Sequence, residues 1–214
     1  MDEHSARQQH WQAIYQHRDS TSVSWFRPHL ESSLATIRAA VAAQSLTPQT
    51  ARILDVGGGS STLVDDLLEA GFGQLAVLDI AAAALAIAQQ RLGESAKLVQ
   101  WICADLLAAP DLPRPIHVWH DRAVFHFLCD AAQRKIYLDL MRSTLAPTGH
   151  CLVSTFGPNG PERCSGLPAQ RYSASTLADT FGPDFLLLDH HVALHRTPSG
   201  SEQEFLLAHF QRRL

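Results

Sequence analysis

The chain has 214 residues, the size of one compact domain, and we expect residues 1–214 to form a single domain. Hydrophobic residues make up 46% and charged residues 18% of the sequence, which excludes a disordered, collagenous or coiled-coil protein. Lys and Arg number 17 against 21 Asp and Glu, giving a net charge of −4, so the basic excess typical of nucleic-acid-binding domains is missing. We expect no nucleic acid partner.

No apolar run reaches the roughly 18 residues of a membrane span, and the polar amino terminus lacks the apolar core of a signal peptide. The 4 cysteines are widely spaced, without the C-x-x-C pattern of a metal site. We therefore expect a cytoplasmic protein, monomeric or homodimeric, that has no membrane partner.

The amino-terminal segment, residues 1–48, is predicted to form a helical cap on the main fold. Residues 11–15 and 30–41 place apolar side chains at helical spacing, and a polar turn separates the two sets. The core is expected to occupy residues 49–214.

Strands and helices alternate through this core. The predicted strands lie at 52–56, 75–79, 98–103, 116–119 and 150–155, and the predicted helices lie at 62–70, 81–92, 130–145 and 173–181. Each parallel return needs a dozen or more residues, so the pattern predicts a doubly wound α/β fold with helices on both faces of a parallel sheet. Apolar runs at 185–194 and 204–210 flank a short turn, which favours an antiparallel carboxy-terminal hairpin and makes seven strands.

A glycine-rich turn follows the first predicted strand. Gly57, Gly58 and Gly59 precede Ser60 and Ser61 at the start of a helix, where the chain turns sharply and a ligand can approach the backbone. Such a turn serves either a dinucleotide or S-adenosylmethionine, and a ligand-free β-to-α turn is the alternative interpretation. The loop has no lysine of the phosphate-binding type, which disfavours nucleoside triphosphate hydrolysis.

Three aspartates stand at successive strand ends. Asp79 follows the loop by about 20 residues, where an acidic side chain can accept hydrogen bonds from both ribose hydroxyls. Asp105 is placed to accept a hydrogen bond from an adenine amino group, although a solvated loop aspartate or a helix cap is the alternative. Asp55 stands where a pyrophosphate would bring negative charge, so it favours a cofactor that carries a sulfonium and an ammonium.

The pattern Asp55-x-Gly57-x-Gly59, with Asp79, Asp105 and the turn at 145–149, resembles the seven-strand class I S-adenosylmethionine-dependent methyltransferases. Four further segments are similar to the methyltransferase-like lysine methyltransferase branch. They are residues 11–15, residues 24–25, the Ser-Thr-Leu after the glycines and the Asp-Arg-Ala after strand four.

This resemblance implies S-adenosyl-L-methionine as cofactor and S-adenosyl-L-homocysteine as product. It also implies a set of cofactor-binding residues, in which His120 acts through its backbone carbonyl: Trp25, Asp55, Gly57, Gly58, Gly59, Ser61, Asp79, Ile80, Asp105, Leu106 and His120.

The segment after strand four supplies the candidate catalytic residues. Asp121 and His126 are expected at the edge of the sheet that holds the cofactor acids, as a base or as substrate-orienting groups. The alternatives are that Asp121 pairs with Arg122 or caps a helix, and that His126 packs between Phe125 and Phe127.

The loop 157–168 follows strand five and is a candidate lid, although an inert surface connection has a similar composition. The candidate substrate contacts are Phe26, Arg122, Glu162, Arg163 and Cys164. The closely spaced His190, His191 and His195 do not predict a metal site, because alternation on a strand places neighbours on opposite faces.

The sequence therefore predicts a methyltransferase that acts on a small molecule or on a lysine of a protein. A non-catalytic cofactor-binding protein and, after it, a nicotinamide-dependent oxidoreductase are the alternatives.

Overall fold

The sheet has seven strands, and helices cover both of its faces. The computed structural model describes residues 3–214. The strands of the sheet are β1 (Arg52–Val56), β2 (Gln74–Asp79), β3 (Val99–Cys103), β4 (Ile116–Arg122), β5 (Leu145–Phe156), β8 (Phe185–Arg196) and β9 (Glu202–Arg212). The helices are α1 (Glu3–His17), α2 (Glu31–Ala43), α3 (Leu63–Glu69), α4 (Ala82–Leu92), α5 (Ala131–Thr144) and α6 (Ala174–Phe181).

The strand order is β3-β2-β1-β4-β5-β9-β8. The first five strands are parallel, whereas β9 pairs antiparallel with both β5 and β8. The predicted doubly wound sheet and its antiparallel hairpin are confirmed. Successive strands are added outward from β1 on one side and from β4 on the other, so the order of strands reverses between β1 and β4. The carboxyl ends of β1, β2 and β4 therefore form a crevice where ligands of such sheets bind.

Two hydrophobic cores lie on the two faces of the sheet, because successive residues of each strand point to opposite sides. In β1, Ile53 packs with α2 and α3, and Leu54 packs on the other face with α5 and α6. Asp55 therefore points toward α2, while Val56 points to the α5 side.

Two strand boundaries differ from the sequence prediction by three residues or more, and one predicted loop contains additional strands. β4 continues beyond Trp119 to Arg122, because its polar residues are buried with partners instead of facing solvent. β5 begins at Leu145, five residues early. The predicted lid loop contains a small antiparallel ladder of β6 (Arg163–Cys164) and β7 (Leu167–Pro168).

Candidate active site

The glycine turn lies directly after β1. Gly57 has φ +65°, and a Cβ there would lie 2.1 Å from Cγ2 of Val124. Gly59 has φ +39°, and a Cβ there would lie 2.6 Å from Oδ2 of Asp79. Positive φ and close contact both require glycine, so the turn brings its backbone against the Asp79 carboxylate.

Asp79 ends β2 and lines a cavity at the carboxyl edge of the sheet. Its side chain is buried, and Oδ1 accepts a hydrogen bond from the Ala81 N–H at 2.8 Å. Burial, and then the negative charge of Asp55, raises the pKa of Asp79 to about 7. No cation pairs with this carboxylate within residues 3–214, so a ligand that donates hydrogen bonds would stabilise its ionised form.

Asp105 follows β3 and binds the amino-terminal helix. Its Oδ2 lies 2.8 Å from both His4 Nδ1 and Arg7 Nη2, and its Oδ1 accepts the Leu107 N–H at 2.9 Å. Although burial opposes ionisation, these donors hold the pKa of Asp105 below its usual value. Asp105 thus caps a 3₁₀ turn, as the alternative interpretation anticipated, and also fastens α1 over the crevice.

Asp55 lies beneath the glycine turn on the α2 side and does not line the cavity. Its Oδ1 lies 2.7 Å from Nδ1 of His120, whose Nε2 lies 3.0 Å from Oγ of Ser33. Oδ2 of Asp55 is buried without a protein partner in the described chain, and a Cβ on Gly58 would approach it to 2.6 Å. This arrangement leaves a buried acceptor directly under the loop.

Helix α1 places aromatic side chains over the cavity, which we call the aromatic roof, and the sequence did not predict their place in the site. Arg7, Trp11 and Tyr15, spaced four residues apart on one helix face, all line the cavity. Trp11 makes edge contacts with Trp25 and Phe127, with ring centroids 6.0 Å and 5.2 Å apart. The four-residue spacing was visible in the sequence, but which helix face meets the cavity depends on tertiary packing.

The cavity has a volume of about 890 Å³ when its open mouth is included. The residues expected at the site that line it are Trp25, Gly57, Asp79, Ile80, Asp105, Leu106, Arg122 and Cys164. Those that lie outside the lining are Phe26, Asp55, Gly58, Gly59, Ser61, His120, Asp121, His126, Glu162 and Arg163.

Asp121 is part of a buried hydrogen-bond network. Its carboxylate accepts the Val124 and Phe125 N–H groups and the Tyr137 hydroxyl, the last at 2.7 Å. Trp119 Nε1 in turn donates to the Tyr137 oxygen at 2.8 Å. Burial raises the pKa of Asp121 to about 6. The network orders the turn after β4, and the position of Asp121 argues against the expected role as base.

His126 is buried in an apolar environment. Its ring stacks on Phe156 with centroids 4.4 Å apart, and neither ring nitrogen has a hydrogen-bond partner within residues 3–214. Burial lowers its pKa to about 3. This geometry corresponds to the packed-aromatic alternative instead of a base that faces the cavity.

The loop after β5 sends one side chain into the cavity. Glu162 is exposed and pairs with Arg171 at 2.9 Å, and Arg163 donates to the Gly166 carbonyl. Cys164 is buried in the lining, and burial raises the pKa of its thiol. Cys164 is therefore the residue of this loop that a bound ligand would meet.

Within residues 3–214, no group of three or more His, Cys, Asp and Glu side chains is arranged to hold a metal ion. His195 is buried and interacts with Arg27 and the Ser24 carbonyl. None of the described helices is both long enough and apolar enough to span a membrane.

The fold is shared with solved S-adenosylmethionine-dependent methyltransferases. An enzyme of that description from Anabaena variabilis superposes with a TM-score of 0.72 at 18% identity, covering 100% of this chain and 96% of the other. The N-methyltransferase NodS from Bradyrhizobium japonicum, in complex with S-adenosylhomocysteine, gives 0.68 at 18% identity over 94% and 97%. The 1,6-didemethyltoxoflavin-N1-methyltransferase of Burkholderia thailandensis gives 0.68 at 19% identity over 98% and 88%.

Residues 53–149 match the family model of a methyltransferase domain. No curated protein matches the chain. Residues 53–149 therefore resemble a methyltransferase domain, and the whole chain has the Rossmann-like fold of the solved methyltransferases, so the resemblance inferred from the glycine turn and the three aspartates is confirmed. The similarity to the lysine methyltransferase branch stays a prediction.

Proposed function

We propose that the protein is an S-adenosylmethionine-dependent methyltransferase that acts on a small molecule or on a lysine of a protein. The observation that carries the proposal is the buried Asp79 carboxylate, which faces the cavity beside the glycine turn without a cationic partner in the described chain. A vicinal diol supplies the two donors that such a carboxylate lacks.

The residues present fit this cofactor. Asp79 would hold the ribose, and the Gly57 backbone would pass along the methionine part. Ile80 and Leu106 offer apolar contacts for the adenine ring, and Asp105 keeps α1 over it. The unpartnered Oδ2 of Asp55 supplies a buried negative charge beneath the loop, suited to a ligand with positive charge.

The bound cofactor would supply a methyl group on a sulfonium: an electron pair of the acceptor would form the new bond to the methyl carbon while the carbon–sulfur bond breaks and S-adenosylhomocysteine leaves. The protein would contribute alignment and exclusion of water, which together supply up to about 7 to 11 kcal/mol in well-oriented reactions. Trp11, Trp25 and Phe127 form an apolar roof for this purpose. In the part of the chain that the structure describes, no histidine lines the cavity, so we propose that positioning instead of a histidine base carries the reaction.

Cofactor titration tests the proposal. Calorimetry should detect binding of S-adenosylmethionine and S-adenosylhomocysteine, and no binding of a nicotinamide dinucleotide. Preferential binding of the dinucleotide would overturn the proposal in favour of an oxidoreductase.

A labelled-methyl transfer screen against cell lysate, split into protein and small-molecule fractions, tests turnover and the acceptor class. Label in the protein fraction would favour a lysine acceptor, and label in the other fraction a small molecule. Tight binding with no transfer to amine, thiol, carboxylate or protein acceptors would favour a non-catalytic cofactor-binding protein.

A further inference from the structure

A second cavity adjoins the cofactor cavity and shares Arg122 with it. This second cavity lies between the start of α2 and strands β5, β8 and β9, and it encloses about 670 Å³ including its mouth. Its lining includes Arg27, Arg122, Ser154 and the first residues of α2.

Arg122 makes no ion pair with the described residues. Its Nη1 donates to the Trp25 carbonyl at 2.7 Å, and its Cζ lies 5.9 Å from the centre of the Phe205 ring. Within residues 3–214, no Asp or Glu oxygen lies within 4.0 Å of the guanidinium nitrogens. Burial, and then the positive charge of Arg27, lowers its pKa to about 10, so the group stays charged at neutral pH.

Arg27 is held beside Arg122 by a neutral histidine. Arg27 Nε donates to Nδ1 of His195 at 3.1 Å, and His195 Nε2 lies 2.6 Å from the Ser24 carbonyl. His195 must therefore accept at Nδ1 and donate from Nε2, the tautomer of a neutral ring. Arg27 also has no carboxylate partner in the described chain, so two guanidiniums line the same cavity and neither makes an ion pair there.

Two further donors face the same cavity. The N-cap residue of the 13-residue helix α2, Leu30, has no side-chain cap, so the first amides of the helix lack a capping acceptor. Ser154 is 8% exposed, and its hydroxyl makes no hydrogen bond within residues 3–214. Helix amides, a free hydroxyl and guanidiniums are the donor set that recognises oxyanions. Glu31 is the one acid in the lining, and its side chain is exposed.

From this arrangement we infer that the methyl acceptor is an acidic small molecule whose carboxylate or phosphate group binds between Arg27, Arg122 and the start of α2. The inference rests on the proposed function. Because Arg122 lines both cavities, an acceptor anchored there extends toward the cofactor cavity. The apolar side chains of Phe205 and Leu207 in the lining offer a surface for the rest of the acceptor.

The test is calorimetric titration of the full-length protein, saturated with S-adenosylhomocysteine, in low-salt buffer without phosphate. The probes are benzoate, phenyl phosphate and the neutral benzamide. We expect benzoate or phenyl phosphate to bind at least about tenfold more tightly than benzamide. Tighter binding of benzoate would indicate a carboxylate acceptor, and tighter binding of phenyl phosphate a phosphate acceptor. Equal binding of all three probes, or no binding of either oxyanion, would overturn the inference.

Variants locate the site. Arg27→Gln, at an exposed residue, should weaken binding of the preferred oxyanion about tenfold or more, and Ser154→Ala should weaken it by a smaller factor. Arg38→Gln is the matched control, since Arg38 is exposed on helix α2 and makes no ion pair within residues 3–214. Equal affinity in Arg27→Gln and Arg38→Gln would place the anion elsewhere and refute the site.

The two proposals fail separately in this design. Loss of the anion signal while S-adenosylhomocysteine still binds would refute the acidic acceptor alone. Anion binding to a protein that does not bind S-adenosylhomocysteine would refute the methyltransferase proposal, and with it the role of the anion as acceptor.

Discussion

Asp79→Asn should stabilise the cofactor-free protein while weakening cofactor binding. Asp79 is 6% exposed, and burial raises its pKa to about 7. Asparagine keeps the size of the side chain and an oxygen that can accept the Ala81 N–H, but it removes the buried charge. The substitution therefore isolates the cost of holding an ionised carboxylate in the cavity without its ligand.

The magnitude follows from the pKa. The folded value of about 7 lies roughly 3 units above the ordinary value of 3.8, and each unit corresponds to about 1.4 kcal/mol. Because its pKa is raised, the carboxyl holds its proton more tightly in the folded than in the unfolded state. The stabilisation that this proton gives the folded state is complete below about pH 4 and is lost as the pH rises to 7. Relative to the wild type, Asp79→Asn should therefore raise the free energy of unfolding by about 2 kcal/mol at pH 5 and about 4 kcal/mol at pH 8.

Thermal unfolding without cofactor at the two pH values measures this difference. The extra stabilisation of about 2 kcal/mol between pH 5 and pH 8 corresponds to roughly 4 to 8 °C for a chain of this size. Asp179→Asn is the matched control, because Asp179 is exposed on α6 and makes no ion pair within residues 3–214. An equal pH response in wild type and Asp79→Asn would refute the reasoning.

The same variant should bind S-adenosylmethionine less tightly by about 1.5 to 3 kcal/mol, because a charge-assisted pair of hydrogen bonds to the ribose is lost. A more stable protein that binds its cofactor less well cannot be explained by misfolding. Unchanged affinity would refute the ribose role of Asp79.

Three further substitutions test the structural reading. Gly57→Ala should destabilise the fold more than Gly166→Ala in thermal unfolding. Both glycines have positive φ, but a Cβ on Gly57 would lie 2.1 Å from Val124, whereas a Cβ on Gly166 would have nothing within 4 Å. Equal losses of stability would contradict the close packing of the turn. Tyr137→Phe should cost about 1 to 3 kcal/mol in denaturant unfolding, since it removes a buried hydroxyl that both donates and accepts, and a cost near zero would contradict the network. His126→Phe should reduce acid sensitivity. The wild type loses stability as the pH falls below about 6.5, because the unfolded imidazole then takes a proton that the folded ring, with a pKa of about 3, does not. Methyl transfer abolished in a stable His126→Phe protein would restore the role of base.

The cofactor side of the site could be predicted from sequence because it depends on short-range patterns. Glycines after a buried strand and acids at strand ends have fixed places in a doubly wound sheet, so Gly57, Asp79 and Asp105 were placed at the correct edge. The register of β1 with β2 and β4 then follows from the topology.

Arg122 and Cys164 were predicted as substrate contacts and line the cavity, but the rest of the acceptor side could not be predicted, because it depends on contacts between distant segments. The predicted β4 ended at Trp119, since His120 and Asp121 read as loop residues, yet both are buried by partners 65 and 16 residues away. The face of α1 that roofs the cavity and the pairing of Arg27 with His195, 168 residues apart, likewise have no local signal.

Electrostatics divide the two cavities between two kinds of ligand. The cofactor cavity holds Asp79 and the adjoining cavity holds Arg27, neither with an ion-pair partner in the described chain, and Arg122 lines both cavities. A buried charge without a partner costs stability, so a ligand of opposite sign should stabilise the ionised Asp79 on one side and Arg122 on the other. A cationic donor and an anionic acceptor would then be drawn to adjacent sites and kept from exchanging places. Because the donor is cationic and the acceptor anionic, each bound ligand should raise the affinity for the other by the same factor.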